Sequence, residues 1–347
     1  MSILNFGFIK LSPGWTLIYL ISVSMLTYID SGSIAGLIPT LKDELGISDA
    51  EAGLLGTAYT LGLIVLNPIF GYFVQYVRVY SLMTIGIFIY FGSLVMAGIS
   101  VNYWMLLAAR FITGIGEASF ENLSGPIIIQ KAPEARKGLW LSLYYACSPI
   151  GVAIGYFYGA VMGNSLGWHW NFLIGSIAIL PLLVLTVFIR KEPGLLGQKE
   201  SSTLSLNQQI LAVLKNPVFV FTTLYCASVN FTGGGLGFWL VDYLNNYYGV
   251  SQSAAAGISG AVIVIPGLIG VILGSTILDF RTKKDVKSKQ QGFISETDLQ
   301  RLRIQKSIQL CLVVAIIGMA IGLIGSVVNN LYVFLVCLAL SIGILYM

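Results

Sequence analysis

Long apolar runs, each bounded by a charged or glycine-bearing turn, constrain this chain more than any other feature. They fall at residues 15–40, 51–76, 80–99, 102–125, 138–162, 170–190, 217–241, 252–279, 306–328 and 331–347. A helix needs roughly 20 apolar residues to cross a bilayer, and in lipid its backbone polar groups must be satisfied within the segment. The pattern therefore predicts ten membrane-spanning helices and an all-α membrane protein. Composition argues against a water-soluble core instead. Of 347 residues, 56% are hydrophobic and 10% charged, whereas a soluble domain carries about 25% charged residues. The first run is too long for the apolar part of a cleaved signal peptide, so no cleavage is expected.

Cys147, Cys226, Cys311 and Cys337 each lie in a different run without CxxC spacing. That argues against a disulfide framework or a metal site and predicts small core side chains. The net charge of +4 carries no nucleic-acid signal, because the positive residues flank the runs. The N-terminus and the loops after the second, fourth, sixth and eighth runs hold 17 of the 19 Lys and Arg residues. Short basic loops stay cytoplasmic, which places the N-terminus in the cytoplasm.

The chain also repeats itself. GISDAEAGLL…IFG from Gly46 to Gly71 matches GVSQSAAAGI…ILG from Gly249 to Gly274 at a constant offset of 203 residues, and Arg78 and Arg281 fall at equivalent places after each copy. Parallel repeats of six helices build one large class of transporters, with substrate held between the halves at mid-membrane. The expected domains are a six-helix N-terminal bundle over 1–190, a cytoplasmic linker over 191–216 and a C-terminal bundle over 217–347. The last holds only four runs and stops at Tyr346-Met347 within one, so two further helices and a longer parent protein are expected.

Charged residues within the runs are the candidates for function, since charge in a bilayer is costly. Asp30 lies midway along the first run; Arg110, Glu117 and Glu121 lie in the fourth. At about 100° per residue the last three fall within about 40° on one helical face. That face must meet protein or water. Burial disfavours an ionised carboxylate and a nearby guanidinium favours it, so such a site can load and release a proton as its surroundings change. Glu121, nearer the helix end, is a secondary candidate whose structural role as a partner of Arg110 is the simpler reading.

Other features read as packing. Gly114 and Gly116, and the stripe Gly151, Gly155 and Gly159, permit close helix approach. The run Gly233-Gly234-Gly235 lacks the preceding strand of a phosphate loop and predicts a flexible or broken helix. His169 between Trp168 and Trp170 reads as an interfacial anchor. Trp239 and Tyr243 belong to an aromatic end of the seventh run that serves either as an interfacial belt or as a gate.

Tyr28-Ile29-Asp30, GISDAEAGLL at 46–55, NPIFGY at 67–72, ARFITGIGEAS at 109–119, SPIGVAIGY at 148–156 and the Trp-His-Trp at 168–170 together resemble the spinster family of lipid transporters, in the major facilitator superfamily. The likeness is close over about 15–190. It implies a 12-helix rocker-switch fold, proton-linked movement of lysophospholipids or sphingosine phosphate, and functional roles for Asp30, Arg110 and Glu117. It also implies a cytoplasmic gating loop at Gly71, Gln75 and Arg78. The family carries Asp-Arg where this chain has Gln75-Tyr76, which weakens the charge lock of that loop, and an Arg where this chain has Ser31, which removes a headgroup contact.

A proton-coupled carrier of an amphiphile is the leading expectation. A carrier of small organic anions drawn to Arg110 and a non-transporting receptor or scaffold are the alternatives. No nucleophile–base pair or metal cluster stands in the runs, which argues against an enzyme. The expected driving force is a proton or ion gradient with no cofactor. The expected partners are a small amphiphilic or anionic substrate and membrane lipid, with no nucleic acid, in a monomer. The organelle stays open between plasma membrane and a lysosome-like compartment.

Overall fold

A computed structural model describes residues 11–74, 76–133, 136–189, 208, 211, 213–290 and 295–345. The 191–216 linker falls almost wholly outside them, as do Gln75 and the terminal Tyr346-Met347. Among the described residues the structure is helical. The helices are α1 Pro13–Leu45, α2 Asp49–Phe73, α3 Val79–Gly98, α4 Tyr103–Lys131, α5 Lys137–Tyr145, α6 Cys147–Ser165, α7 Trp168–Phe188, α8 Pro217–Tyr248, α9 Gln252–Gln290, α10 Glu296–Val327 and α11 Leu331–Leu345.

Their ends follow from local chemistry. α1 opens on Pro13, whose missing N–H costs nothing in a first turn, and closes on Gly46 at φ +63°, the left-handed turn that glycine accepts most readily. Two residues later Ser48 and Glu51 form a reciprocal capping box that starts α2. The second copy of the repeat reuses the turn, since Gly249 closes α8 at φ +66° just before α9 begins. The predicted fifth helix is one span in two pieces, α5 and α6, parted at Ala146. Pro149 has no N–H to offer and crowds the carbonyl four residues back, at Tyr145.

Each of the ten predicted runs is occupied by helix over most of its described residues. Among the described residues seven helices, counting α5 with α6 once, are long and apolar enough to cross a membrane. The other three runs differ for visible reasons. α4 carries Arg110, Glu117 and Glu121, α8 carries the glycine run with Asn and Tyr residues, and α11 is only 15 residues long as described. The polar connector expected over 281–306 is in large part helix, as α9 reaches Gln290 and α10 starts at Glu296. α8 passes through Gly233–Gly235 without a break, contrary to the broken helix expected there.

The chain divides into two compact units, one of residues 1–226 with 238–256 and one of 227–237 with 257–347. In the first, α1 packs on α6, α2 on α4, and α3 on α4 and α7. Glycines set these distances. A Cβ on Gly155 would strike the Ile29 carbonyl, and one on Gly159 the Ser33 carbonyl, so α1 and α6 meet backbone to backbone. Gly114 meets the Tyr59 carbonyl in the same way and draws α4 against α2. In the second unit α10 packs on α11. None of the four cysteines is in a disulfide, and only Cys147 is buried; Cys226 is exposed and the other two are partly buried, against the core positions expected for all four.

Candidate functional site

The close approach of α2 and α4, with α1 alongside, brings the intramembrane charges together. Arg110 Nη1 on α4 donates to Asp30 Oδ2 on α1 at 2.8 Å. Arg110 is 1% exposed, Asp30 7% and Glu117 2%, so all three face protein. The guanidinium carbon lies 5.0 Å from the centre of the Tyr59 ring on α2, a cation–π distance. The Tyr59 hydroxyl donates to Glu117 Oε2 at 2.8 Å. Tyr59 thus touches both members of the α4 pair, its face to the cation and its hydroxyl to the carboxylate.

Arg110 does share a helical face with Glu117, but its ion partner is Asp30. Seven residues separate the two along α4, about 10 Å of rise. Side chains on a helix also lean toward its N-terminus, which carries Arg110 away from Glu117. Glu121 lies a further turn on and is exposed. Removing one partner from a buried ion pair costs about 3–5 kcal/mol because it strands the other charge. The Arg110 Nε is already buried without a hydrogen-bond partner.

Trp239 and Tyr243 stand at a second place, near the α1–α2 turn. With Lys42, Asp49, Asp242, Asn246 and Tyr247 they line a cavity of about 420 Å³. Lys42 Nζ is 2.6 Å from Asp49 and 3.2 Å from Asp242, and Asn246 Nδ2 donates to Asp242 at 3.0 Å. Gln252 Nε2 donates to the Gly36 carbonyl at 2.7 Å. These bonds tie α1 to the end of α8 and the start of α9. Gly71 and Arg78 sit exposed in and after the last turns of α2, and the structure does not bring them to the Asp30 cluster.

Sequence reasoning missed Tyr59, Asn171 and the Lys42–Asp242 tie. Tyr59 and Asn171 are neutral side chains in apolar helices and give no signal of their own. Lys42 could have been flagged, since it is the single basic residue in its loop. The Trp-His-Trp motif also differs from its expected role. Trp168 is 1% exposed and buried, His169 stacks on it at 3.7 Å and bonds the Ser100 carbonyl at 3.0 Å, and only Trp170 points outward.

Residues 20–347 match the Major Facilitator Superfamily. A probable sphingolipid transporter, spinster homolog 1 of Arabidopsis thaliana, is 29% identical over 317 residues, covering 78% of this chain and 64% of its own. A sphingosine-1-phosphate transporter of Danio rerio is 28% identical over 279 residues, covering 73% and 54%. This chain thus spans less than two thirds of the length of these relatives. A bacterial homolog of the human lysosomal transporter Spinster, solved inward-facing and unoccupied, superposes with a TM-score of 0.70 at 20% identity, over 96% of this chain and 73% of that one. The charged helix faces, the glycine-set helix pairs and these likenesses agree: this chain is a multi-pass integral membrane protein of the major facilitator superfamily, of its spinster-like kind.

Proposed function

We propose that this chain is part of a secondary transporter, and not an enzyme, that moves a lysophospholipid- or sphingolipid-like amphiphile with protons as the coupling ion. The observation that carries the reading is the buried set Asp30, Arg110 and Glu117 with the half-buried Tyr59 bridging two of them, held within the helices of a spinster-like chain. Arg110 is consumed by Asp30 and the Tyr59 ring, which favours an amphiphile over a small anion drawn to a free guanidinium. The Lys and Arg asymmetry supports a cytoplasmic N-terminus.

Glu117 is the proposed proton carrier. It is buried and holds one neutral hydrogen bond, so its charged and neutral forms respond to any change in hydration. Alternating access would supply that change, and a proton can bias the equilibrium only by its different affinity for the two states. Asp30 and Arg110 hold the fixed charge beside it. The test is reconstitution in liposomes with an imposed pH gradient. Glu117→Gln, which mimics the neutral form, is expected to abolish gradient-driven accumulation of sphingosine phosphate while keeping its binding. Undiminished accumulation would refute the coupling role.

A further inference from the structure

Glu121 takes no part in the Asp30–Arg110 pair. It stands eleven residues beyond Arg110, about 16 Å of rise along α4. It is exposed, whereas Glu117, one turn earlier, is 2% exposed. Tyr28 of α1, Tyr59 of α2 and Tyr144 of α5 all feel the Glu121 charge, as does Glu117 on α4 itself. Beside it Asn122 is also exposed, and its Nδ2 donates to Asn67 Oδ1 of α2 at 2.9 Å. A carboxylate within a spanning helix is costly against lipid, so this face meets water or protein. Phenols ordinarily keep their proton up to about pH 10, and Asp30, which also acts on Glu117, is held by Arg110. Glu117 and Glu121 are therefore the groups here that exchange protons near neutrality.

Helix geometry joins these two carboxylates. A four-residue step turns the helix by about 400°, so they sit within about 40° of each other with Cβ atoms about 6 Å apart. Side chains lean toward the helix N-terminus, which lays Glu121 over the turn that carries Glu117. The lean that takes Arg110 away from Glu117 thus brings Glu121 toward it. At that spacing a proton passes between the carboxyl groups directly or across one water molecule. From the α2 side the Tyr59 hydroxyl holds Glu117 Oε2 at 2.8 Å. Two carboxylates repel when both are charged, so a proton entering the pair relieves the repulsion whichever of them holds it.

We propose, on the reading of Glu117 as the proton carrier, that Glu121 is the group through which Glu117 exchanges its proton with the cytoplasm. With a cytoplasmic N-terminus, α4 runs toward the cytoplasm and Glu121 lies one turn nearer to it than Glu117. In loading, the Glu121 carboxylate takes a proton from cytoplasmic water and passes it to the Glu117 carboxylate. Glu121 is left ionised again, Glu117 is neutral, and the pair has gained one proton. Release runs the same steps in reverse. The exposed carboxylate gives the buried one a contact with water that its own position denies it.

The test reads the proton on Glu117 itself, in the full chain in sealed vesicles, and so does not depend on substrate turnover. After a pH jump on the cytoplasmic face, time-resolved infrared spectroscopy follows the carboxylic C=O band that Glu117→Gln abolishes. Glu121→Gln, an isosteric change at an exposed position, is expected to slow that band about a hundredfold, the contribution of a positioned proton-transfer group. Glu121→Ala is expected to slow it as much, and Glu121→Asp, which keeps a carboxyl group, to restore most of the rate. An unchanged rate in Glu121→Gln would overturn the proposal and leave Glu117 as carrier. So would slowing in Glu121→Asp as great as in Glu121→Gln, which would mark a packing role. A parent chain with no such band at any pH would instead sink the reading of Glu117 and the role of Glu121 with it.

Discussion

The pair between Asp30 and Arg110 is the place where one substitution has the largest calculable consequence. Asp30→Leu removes the carboxylate that meets Arg110 Nη1 at 2.8 Å and leaves a guanidinium that is 1% exposed. The Nε of the same side chain already lacks a partner, so no reserve of hydrogen bonds stands ready. Stranding a buried charge costs about 3–5 kcal/mol. Arg110→Met strands Asp30 and is expected to cost a similar amount. The double variant, Asp30→Leu with Arg110→Met, removes both charges and leaves apolar groups of comparable volume. Such replacements are neutral or stabilising in soluble proteins, so the double variant is expected to lie within about 1 kcal/mol of the parent. Reversible unfolding in mixed micelles, titrated with sodium dodecyl sulfate, measures all three. If the two single losses simply add in the double variant, to within about 0.5 kcal/mol, the pair is not a coupled buried unit and the reasoning fails.

Other perturbations probe the surrounding geometry. Tyr59→Phe keeps the ring over Arg110 and deletes the hydrogen bond to Glu117, so it is expected to destabilise by about 1.5–3 kcal/mol in the same unfolding assay. At the α1–α8 tie, Asp242→Asn is expected to matter more than Asp49→Asn. The Asp242 side chain is 9% exposed, whereas that of Asp49 is 73% exposed and its bridge is worth under about 1 kcal/mol. A titration of unfolding against sodium chloride should show the Asp49 contribution vanish first. Gly159→Leu would force a side chain into the Ser33 carbonyl, and α1 and α6 are expected to separate, with loss of monodisperse protein on size-exclusion chromatography.

Much of this was legible in the chain itself. Run length alone placed every helix to within several residues at most ends, because a spanning helix must be long, apolar and self-satisfied in its backbone bonds. Gly155 and Gly159, which proved to be close-packing positions, were readable from their four-residue spacing, and Gly114 from its place with Gly116 in an apolar run. The site was only half readable. Charges in an apolar run announce themselves as costly, so Asp30, Arg110 and Glu117 could be named as buried. Helical periodicity compares residues on one helix, so it showed that Arg110 and Glu117 share a face and could not show that Arg110 reaches across to Asp30. It was equally blind to Tyr59, a neutral residue on another helix.

What the sequence determined by itself is therefore whatever depends on one segment and its solvent: ten helices, their turns at Gly46 and Gly249, and which charges must be hidden. The tertiary structure decided who partners whom. Arg110 with Asp30, Tyr59 with Glu117, Lys42 with Asp242, and the unpartnered Asn171 oxygen depend on how closely neighbouring helices approach and how they are rotated; around the charged cluster that is set by backbone contacts at glycines beside it, Gly155 against the Ile29 carbonyl and Gly114 against the Tyr59 carbonyl.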